Sequence, residues 1–312
     1  MSLAFLFPGQ GSQYPGMFQS LPNHPAVTRT FEEATEILNQ DVQALDGDTA
    51  LVSTIAAQLA IFIAGVSVSR VLEVEKVSPD AVAGLSIGAF GAAVASGAID
   101  FDAALPLVRL RAELMERAYA SGYGLSVIIG LTERQISQLI EEIHTEEAPV
   151  FVATVNAPQQ VVIAGADEAM NTLLHRATEK GATRAENLPV SVPSHCPLLR
   201  GVAERLLQFV ANLPLSDPRI PYVSNTRGRI LRTSAAIRQD LATNVMYPVR
   251  WHDAVTVLVE VGVRLFVELP PGHVLTGLVA AAFPGVRAIS LHGTHIASEA
   301  AFIRRTRTQQ RE

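Results

Sequence analysis

Five residues, Gly84-Leu85-Ser86-Ile87-Gly88, fit the pattern G-x-S-x-G. They follow a short apolar run, Ala81-Val82-Ala83, and precede an Ala/Gly-rich stretch, 89–97, able to pack closely as a helix. In a strand–turn–helix context this spacing pushes the serine out of a sharp bend. The flanking glycines avoid clashes there, and the next backbone N–H points at a developing oxyanion. At about 7% glycine the bare pattern arises by chance in roughly one chain in ten of this length, so the context carries the argument. Ser86 is the candidate nucleophile for attack on a carbonyl. A serine hydroxyl is a poor nucleophile near neutral pH and needs a base within hydrogen-bond reach, usually an imidazole with a pKa of about 6.5. Eight histidines compete for that role. The chain order common in enzymes built on such a bend favours a late loop after a strand, which nominates His273 in Pro270-Pro271-Gly272-His273, or His292. His195, in Val192-Pro193-Ser194-His195-Cys196, is the other strong candidate. The residues alone leave His195 and His273 both open. Cys196 beside it reads as a buried small apolar residue rather than a second nucleophile.

The elements that must position these groups follow from periodicity. A strand at residues 3–7 stops at Pro8-Gly9-Gln10-Gly11, where proline and glycine turn the backbone out of a sheet. Helical spacing runs over 24–39 and 52–74, ahead of the strand at 81–83. Such units predict a parallel sheet covered by helices. Between 122 and 190 the pattern becomes strand 125–129, helix 133–143, strand 150–155, strand 160–164, helix 168–180 and strand 185–190. That βαββαβ order is the ferredoxin-like arrangement, whose two-layer core closes on itself. Further strands are expected at 220–224, 264–269 and 286–291. The expected fold is therefore α/β, with a large parallel-sheet subdomain at 1–121 and 192–312 and an inserted ferredoxin-like small subdomain at 122–191. His195 lies where the insertion returns the chain to the large unit, and a cleft between subdomains is a common place for a site.

Composition excludes several classes. Apolar residues make up 48% of the 312 positions and charged residues 17%, which rules out collagen-like, disordered and disulfide-scaffold chains. With 24 basic against 30 acidic residues the net charge is −6, and no basic stripe is present to hold a phosphate backbone, so nucleic acid is not an expected partner. The longest apolar stretch, 55–68, is shorter than the roughly 20 residues that span a bilayer and contains Gln58 and Ser67, so it reads as a buried helix and no membrane is expected. A single cysteine cannot form an internal disulfide, and Met1-Ser2-Leu3-Ala4 lacks the charged segment of a secretory signal; the cytoplasm is the expected compartment. The basic end, 304–312, reads as a solvated tail.

The order of motifs resembles the malonyl-CoA:acyl-carrier-protein transacylases over nearly the whole chain. The markers are Phe7-Pro8-Gly9-Gln10-Gly11-Ser12-Gln13, the bend at 84–88, Arg109-Leu110-Arg111, Asn156-Ala157-Pro158 ahead of the strand from Gln160, Pro193-Ser194-His195-Cys196, Pro248-Val249-Arg250-Trp251, and Pro271-Gly272 before Val274-Leu275-Thr276-Gly277. The family's α/β-hydrolase-like large subdomain with a ferredoxin-like small one agrees with the periodicity. The resemblance implies Ser86 as the acylated nucleophile and His195 as its base, oriented by the backbone carbonyl of Asn244, where the family usually has Gln. It further implies an oxyanion hole from the N–H groups of Ile87 and Gln10, and Arg111 as the fork for the malonate carboxylate. On residue type alone Arg111 reads more readily as a surface ion pair on an Arg-rich helix. Gln58 either approaches the site or bonds neighbouring backbone.

The family usually has His before the serine and Glu after the second glycine, where this chain has Leu85 and Ala89. Gly84-Leu85-Ser86-Ile87-Gly88-Ala89, with Ala26-Val27, Tyr123-Gly124 and Trp251-His252-Asp253, resembles the transacylase (epsilon) subunit of bacterial malonate decarboxylase. That branch implies malonyl transfer from malonyl-CoA to an acyl carrier protein with a dephospho-CoA-derived thiol arm, and other decarboxylase subunits as partners. The transacylase of fatty acid synthesis, acting on a phosphopantetheine arm, is the alternative; a serine esterase based on His273 and an inactive carrier-docking subunit are two more. None of these transfers implies a metal or a permanently bound cofactor.

Overall fold

The computed structural model describes residues 2–119, 121–291 and 295–309; His292 lies outside them. The first strand, β1 (Ser2–Phe7), is apolar at every position after its first because both its faces are covered. Leu3, Phe5 and Phe7 enter the core on one side of the sheet, while Ala4 and Leu6 enter the core on the other. The chain continues through α1 (Pro25–Leu38), α2 (Thr54–Val74), β2 (Ala81–Gly84), α3 (Gly88–Ala95) and α4 (Phe101–Ala118). It then runs through β3 (Tyr123–Ile129), α5 (Glu133–Ile143), β4 (Val150–Ala157), β5 (Gln160–Ala166), α6 (Asp167–Glu179) and β6 (Arg184–Asn187). The last part comprises α7 (Arg200–Val210), β7 (Tyr222–Val223), β8 (Ile230–Leu231), α8 (Ser234–Thr243), α9 (Trp251–Glu260), β9 (Val263–Glu268), α10 (Val274–Ala282), β10 (Arg287–Ser290) and α11 (Ile296–Gln309).

The architecture is the expected α/β one. Six strands form one sheet in the order β10-β9-β1-β2-β7-β8, parallel except for β8, which pairs antiparallel with β7. Strands β3 to β6 form a separate antiparallel sheet in the order β4-β5-β3-β6, with α5 and α6 packed on one face through Ile128, Ile136, Leu139, Ile163 and Leu173. The opposite face carries Val127, Ala153, Val162 and Ala164, which pack with Cys196 as the chain rejoins the large sheet. Main-chain bonds stitch the two sheets' lobes together: Val155 N–H donates to Val249 C=O and Val249 N–H to Ala153 C=O, both at 2.9 Å.

The helix expected over 52–74 is α2, 21 residues long and apolar enough to cross a membrane by length and composition, yet 83% of its most apolar window is buried inside the protein. Two expectations change. The basic end is not a solvated tail through residue 309. It continues α11, and Arg307 pairs with Asp80 at 2.7 Å while Arg304 pairs with Glu75. The strand expected at 185–190 ends at Asn187, after which Leu188 N–H bonds Leu125 C=O and the chain leaves the sheet toward His195.

Register places the site. Phe7 pairs with Gly84 and Leu6 with Glu268, so β1, β2 and β9 end together and their following loops share one edge of the sheet. The packing there tolerates no side chain at two glycines. A Cβ on Gly84 would lie 2.1 Å from the Gly88 backbone, and one on Gly88 would lie 2.1 Å from the Phe7 carbonyl oxygen. Gly88→Ala should therefore lower the free energy of unfolding in urea by about 3 kcal/mol, as overpacking against backbone does; a loss below about 1 kcal/mol would show that α3 and β1 are not in this contact.

Candidate active site

The bend between β2 and α3 puts Ser86 in the left-handed region, at φ 56°. A non-glycine residue there is uncommon, and its strain has to be held by its surroundings. Asn225, just after β7, supplies the hold: its Oδ1 accepts the Ser86 N–H at 2.7 Å and its Nδ2 donates to the Gly84 carbonyl at 2.8 Å. Asp240 on α8 fixes this segment in turn, accepting from the Tyr222 and Ser224 hydroxyls and the Asn225 N–H. Tyr222 is fully buried, and burial together with the Asp240 charge pushes its phenol pKa well up, so it remains a donor.

His195 is also left-handed, at φ 66°, and its N–H donates to the Val245 carbonyl at 2.7 Å. This turns the ring into the bend. Nδ1 lies 2.6 Å from the Asn244 carbonyl oxygen and Nε2 lies 2.8 Å from Ser86 Oγ. Because a carbonyl only accepts, Nδ1 carries the proton and Nε2 is free to accept the serine hydroxyl proton. The Asn244 side chain is buried with neither of its polar atoms paired among the described residues, so the residue acts on His195 through its backbone carbonyl.

Arg111 is not a surface residue. It is wholly buried on α4, 5.6 Å from Cζ to the Phe90 ring centroid, with Nη2 at 3.0 Å from Ser86 Oγ and Nη1 at 2.5 Å from Gln58 Oε1. Its Nε has no partner among the described residues. Gln58 therefore does approach the site: its Nε2 also reaches Gln10 Oε1 at 3.4 Å, tying α2 to the loop after β1. The backbone N–H groups of Gln10 and Ile87 have no protein acceptor among the described residues. Ile87 caps the N-terminus of α3, where such an N–H is naturally unpaired. His273 is exposed at the start of α10 and makes no bond to Ser86. Cys196 is buried, its Sγ donates to the Pro193 carbonyl, and burial pushes the thiol up to about 12, which leaves it inert.

Ser86, His195 and Gln10 open into a cavity of about 420 Å³ between the two sheets. Its walls include the loop from Pro8 to Ser12, Leu125, Val127 and Val162 from the small sheet, and Leu275 and Leu278 from α10. Glu268 at the end of β9 holds that helix by accepting the N–H groups of Leu275 and Thr276 at 3.1 and 2.6 Å. A larger hollow, of about 730 Å³, lies along α1 and contains none of these groups.

A serine hydroxyl bonded to an imidazole, in a site whose Gln10 and Ile87 N–H groups lack a protein acceptor among the described residues, is an arrangement able to carry acyl transfer. The sequence matches the acyl transferase domain over residues 4–312. The chain belongs to the acyl transferase family. It is 36% identical over 282 residues to the malonyl CoA-acyl carrier protein transacylase of Bacillus subtilis, covering 89% of each chain. To the enzyme of the same name from Salmonella typhimurium it is 39% identical over 281 residues, covering 88% of this chain and 91% of that one. Among solved structures, the malonyl CoA-acyl carrier protein transacylase of Coxiella burnetii superposes with a TM-score of 0.92 at 34% identity, covering 96% of each chain. A malonyl-transacylase in complex with a type II PKS acyl-carrier protein superposes equally well, at 36% identity, covering 96% of this chain and 99% of that one. This protein is an acyltransferase of the family that contains those transacylases.

The acyltransferase's electrostatics are set by burial. Desolvation first and the Arg111 cation second lower the His195 pKa to about 4, against the opposing backbone bonding at Asn244 and Tyr247. Desolvation also lowers Arg111, to about 9. Sequence reasoning missed Asn225 and Asp240; Ser224-Asn225-Thr226 carries no pattern that sets it apart from an ordinary turn. Since the folded imidazole lies below its unfolded value of about 6.5, its stability contribution is complete above that pH and is lost as pH falls toward 4. The base form survives equally far. Acylation of Ser86 in the free enzyme should fall on an acidic limb centred near pH 4; a limb centred at the ordinary histidine value would contradict the burial argument.

Proposed function

We propose that this acyltransferase moves malonyl from malonyl-CoA to the thiol arm of an acyl carrier protein through a malonyl-Ser86 ester. The observation that carries this reading is a wholly buried guanidinium within hydrogen-bond distance of the nucleophile. A planar cationic fork with an unpaired Nε suits the free carboxylate of a malonyl group, whereas an acetyl group leaves the cation without its partner. Removing one partner from such a pair costs about 3 to 5 kcal/mol, on the order of a hundredfold or more in discrimination.

The chemistry runs in two balanced halves. His195 Nε2 takes the Ser86 proton as Oγ attacks the thioester carbonyl, whose oxygen receives the N–H groups of Gln10 and Ile87. The C–S bond breaks, the thiolate of CoA takes the proton from His195, and CoA leaves. The carrier's thiol then gives its proton to His195, attacks the ester, and Oγ departs as the serine hydroxyl. Thioester is exchanged for thioester, so the site has to lower one barrier in both directions while excluding water. The Asn244 carbonyl keeps the imidazole in the required tautomer throughout. In this reading residues 122–191 act as a small subdomain that forms one wall of the cleft, and neither half of the exchange calls on a metal or a resident cofactor.

The acceptor we infer is the carrier of malonate decarboxylase, with its dephospho-CoA-derived arm and the complex's other subunits as partners. Leu85 and Ala89 around the serine support this branch. The fatty-acid-synthesis transacylase is the second reading, equally consistent with the malonyl CoA-acyl carrier protein transacylases named above. A serine esterase based on His273 has no geometric support, because that ring is exposed and unbonded to Ser86.

Two measurements test the proposal. Malonyl-CoA should release a burst of CoA that Ser86→Ala lowers by about 10⁴-fold or more, and an undiminished burst in the variant would remove Ser86 from the reaction. Supplied with both purified carriers, the enzyme should load the decarboxylase carrier with the higher kcat/KM; preference for the phosphopantetheine carrier would assign it to fatty acid synthesis.

A further inference from the structure

Ser86 Oγ makes two hydrogen bonds without substrate, and they work against each other. It donates its proton to His195 Nε2 at 2.8 Å and accepts one from Arg111 Nη2 at 3.0 Å. The first bond prepares the hydroxyl for attack. The second occupies one of the oxygen's two lone pairs and draws its density toward a cation, so the hydroxyl is a weaker nucleophile while that bond is made. An interaction present in the ground state and absent in the transition state raises the barrier.

We propose that Arg111 is also a gate: it caps the nucleophile at rest, and the carboxylate of the incoming acyl group must draw the guanidinium away before Ser86 can react. This rests on the malonyl reading above and deepens it. Arg111 then selects substrate in the rate of the chemical step as well as in binding, since an acyl group without a carboxylate leaves the oxygen capped.

Three observations support the gate. The guanidinium is wholly buried among Phe90, Gln58 and Ser86 and offers an unpaired Nε, so it is an under-satisfied cation that a carboxylate would engage. Gln58 holds only Nη1, which leaves Nε and Nη2 for a two-pronged carboxylate once Nη2 leaves the serine. Desolvation lowers both Arg111 and His195, and the cation adds to the depression of the imidazole, so a carboxylate that cancels this charge makes His195 a stronger base as it uncaps the serine.

The test uses a neutral reagent that carries no carboxylate of its own. Methanesulfonyl fluoride modifies a serine by forming an Oγ–S bond and breaking S–F; fluoride leaves and the hydroxyl proton passes to His195. Formate is the separate carboxylate, and its occupancy of Arg111 is read independently as competition against the malonyl-CoA burst. At the formate concentration that halves the burst, the first-order rate of Ser86 modification in the wild-type chain should rise by about tenfold, the scale set by releasing one charge-assisted hydrogen bond. Sodium chloride at equal ionic strength should not raise it. Arg111→Met should react fast without formate and no longer respond to it. Modification that stays level or slows while formate competes with malonyl-CoA overturns the gate and leaves the malonyl reading standing. Formate that never competes removes Arg111 as a carboxylate site and overturns both.

Discussion

One oxygen atom organises this protein. Ser86 Oγ must sit within hydrogen-bond distance of His195 Nε2 and of Arg111 Nη2 at once. Both the serine and the histidine reach it only from left-handed backbone, at φ 56° and 66°. Strain at two residues persists because the surroundings over-determine them. Gly84 and Gly88 let β2 and α3 close against β1 with no room for a methyl group, Asn225 takes up the backbone of the bend, and Val245 and Asn244 fix the histidine by main-chain bonds. Asp240 stands behind Asn225, so the constraint passes from the reacting oxygen into the core of the large sheet.

The same constraint explains why the site lies between two lobes. The large sheet delivers Ser86 and the loop carrying Gln10 from adjacent strand ends, while the small sheet contributes an apolar wall. Burial of Arg111 and His195 depresses both pKa values and strengthens every interaction they make. An acyl-enzyme ester survives only where water is kept out, and the apolar side chains of Leu125, Val127, Val162, Leu275 and Leu278 around Ser86 serve that requirement. The main-chain stitch between β4 and Val249, with the Arg250–Glu133 ion pair at 2.6 Å, keeps the wall in place.

Much of this was legible in the residue pattern. The bend, the βαββαβ order and the parallel strands follow from periodicity and from where glycine and proline interrupt it. The basic terminus looked like a tail because its partners, Glu75 and Asp80, lie more than two hundred positions away in the chain. The choice between His195 and His273 was equally invisible locally, since the deciding quantity is a distance between residues 109 positions apart. Asn225 and Asp240 carry no motif at all; they matter through backbone contacts that only the folded chain creates.

The central claim is that Ser86 forms the acyl ester with His195 as its base. Peptide mapping by mass spectrometry after mixing with malonyl-CoA tests it most directly. The account predicts a malonyl adduct confined to the peptide containing Ser86, formed quickly in the wild-type chain and nearly absent in folded His195→Ala. An adduct on any other residue, or one that forms on Ser86 at the wild-type rate without His195, would contradict it.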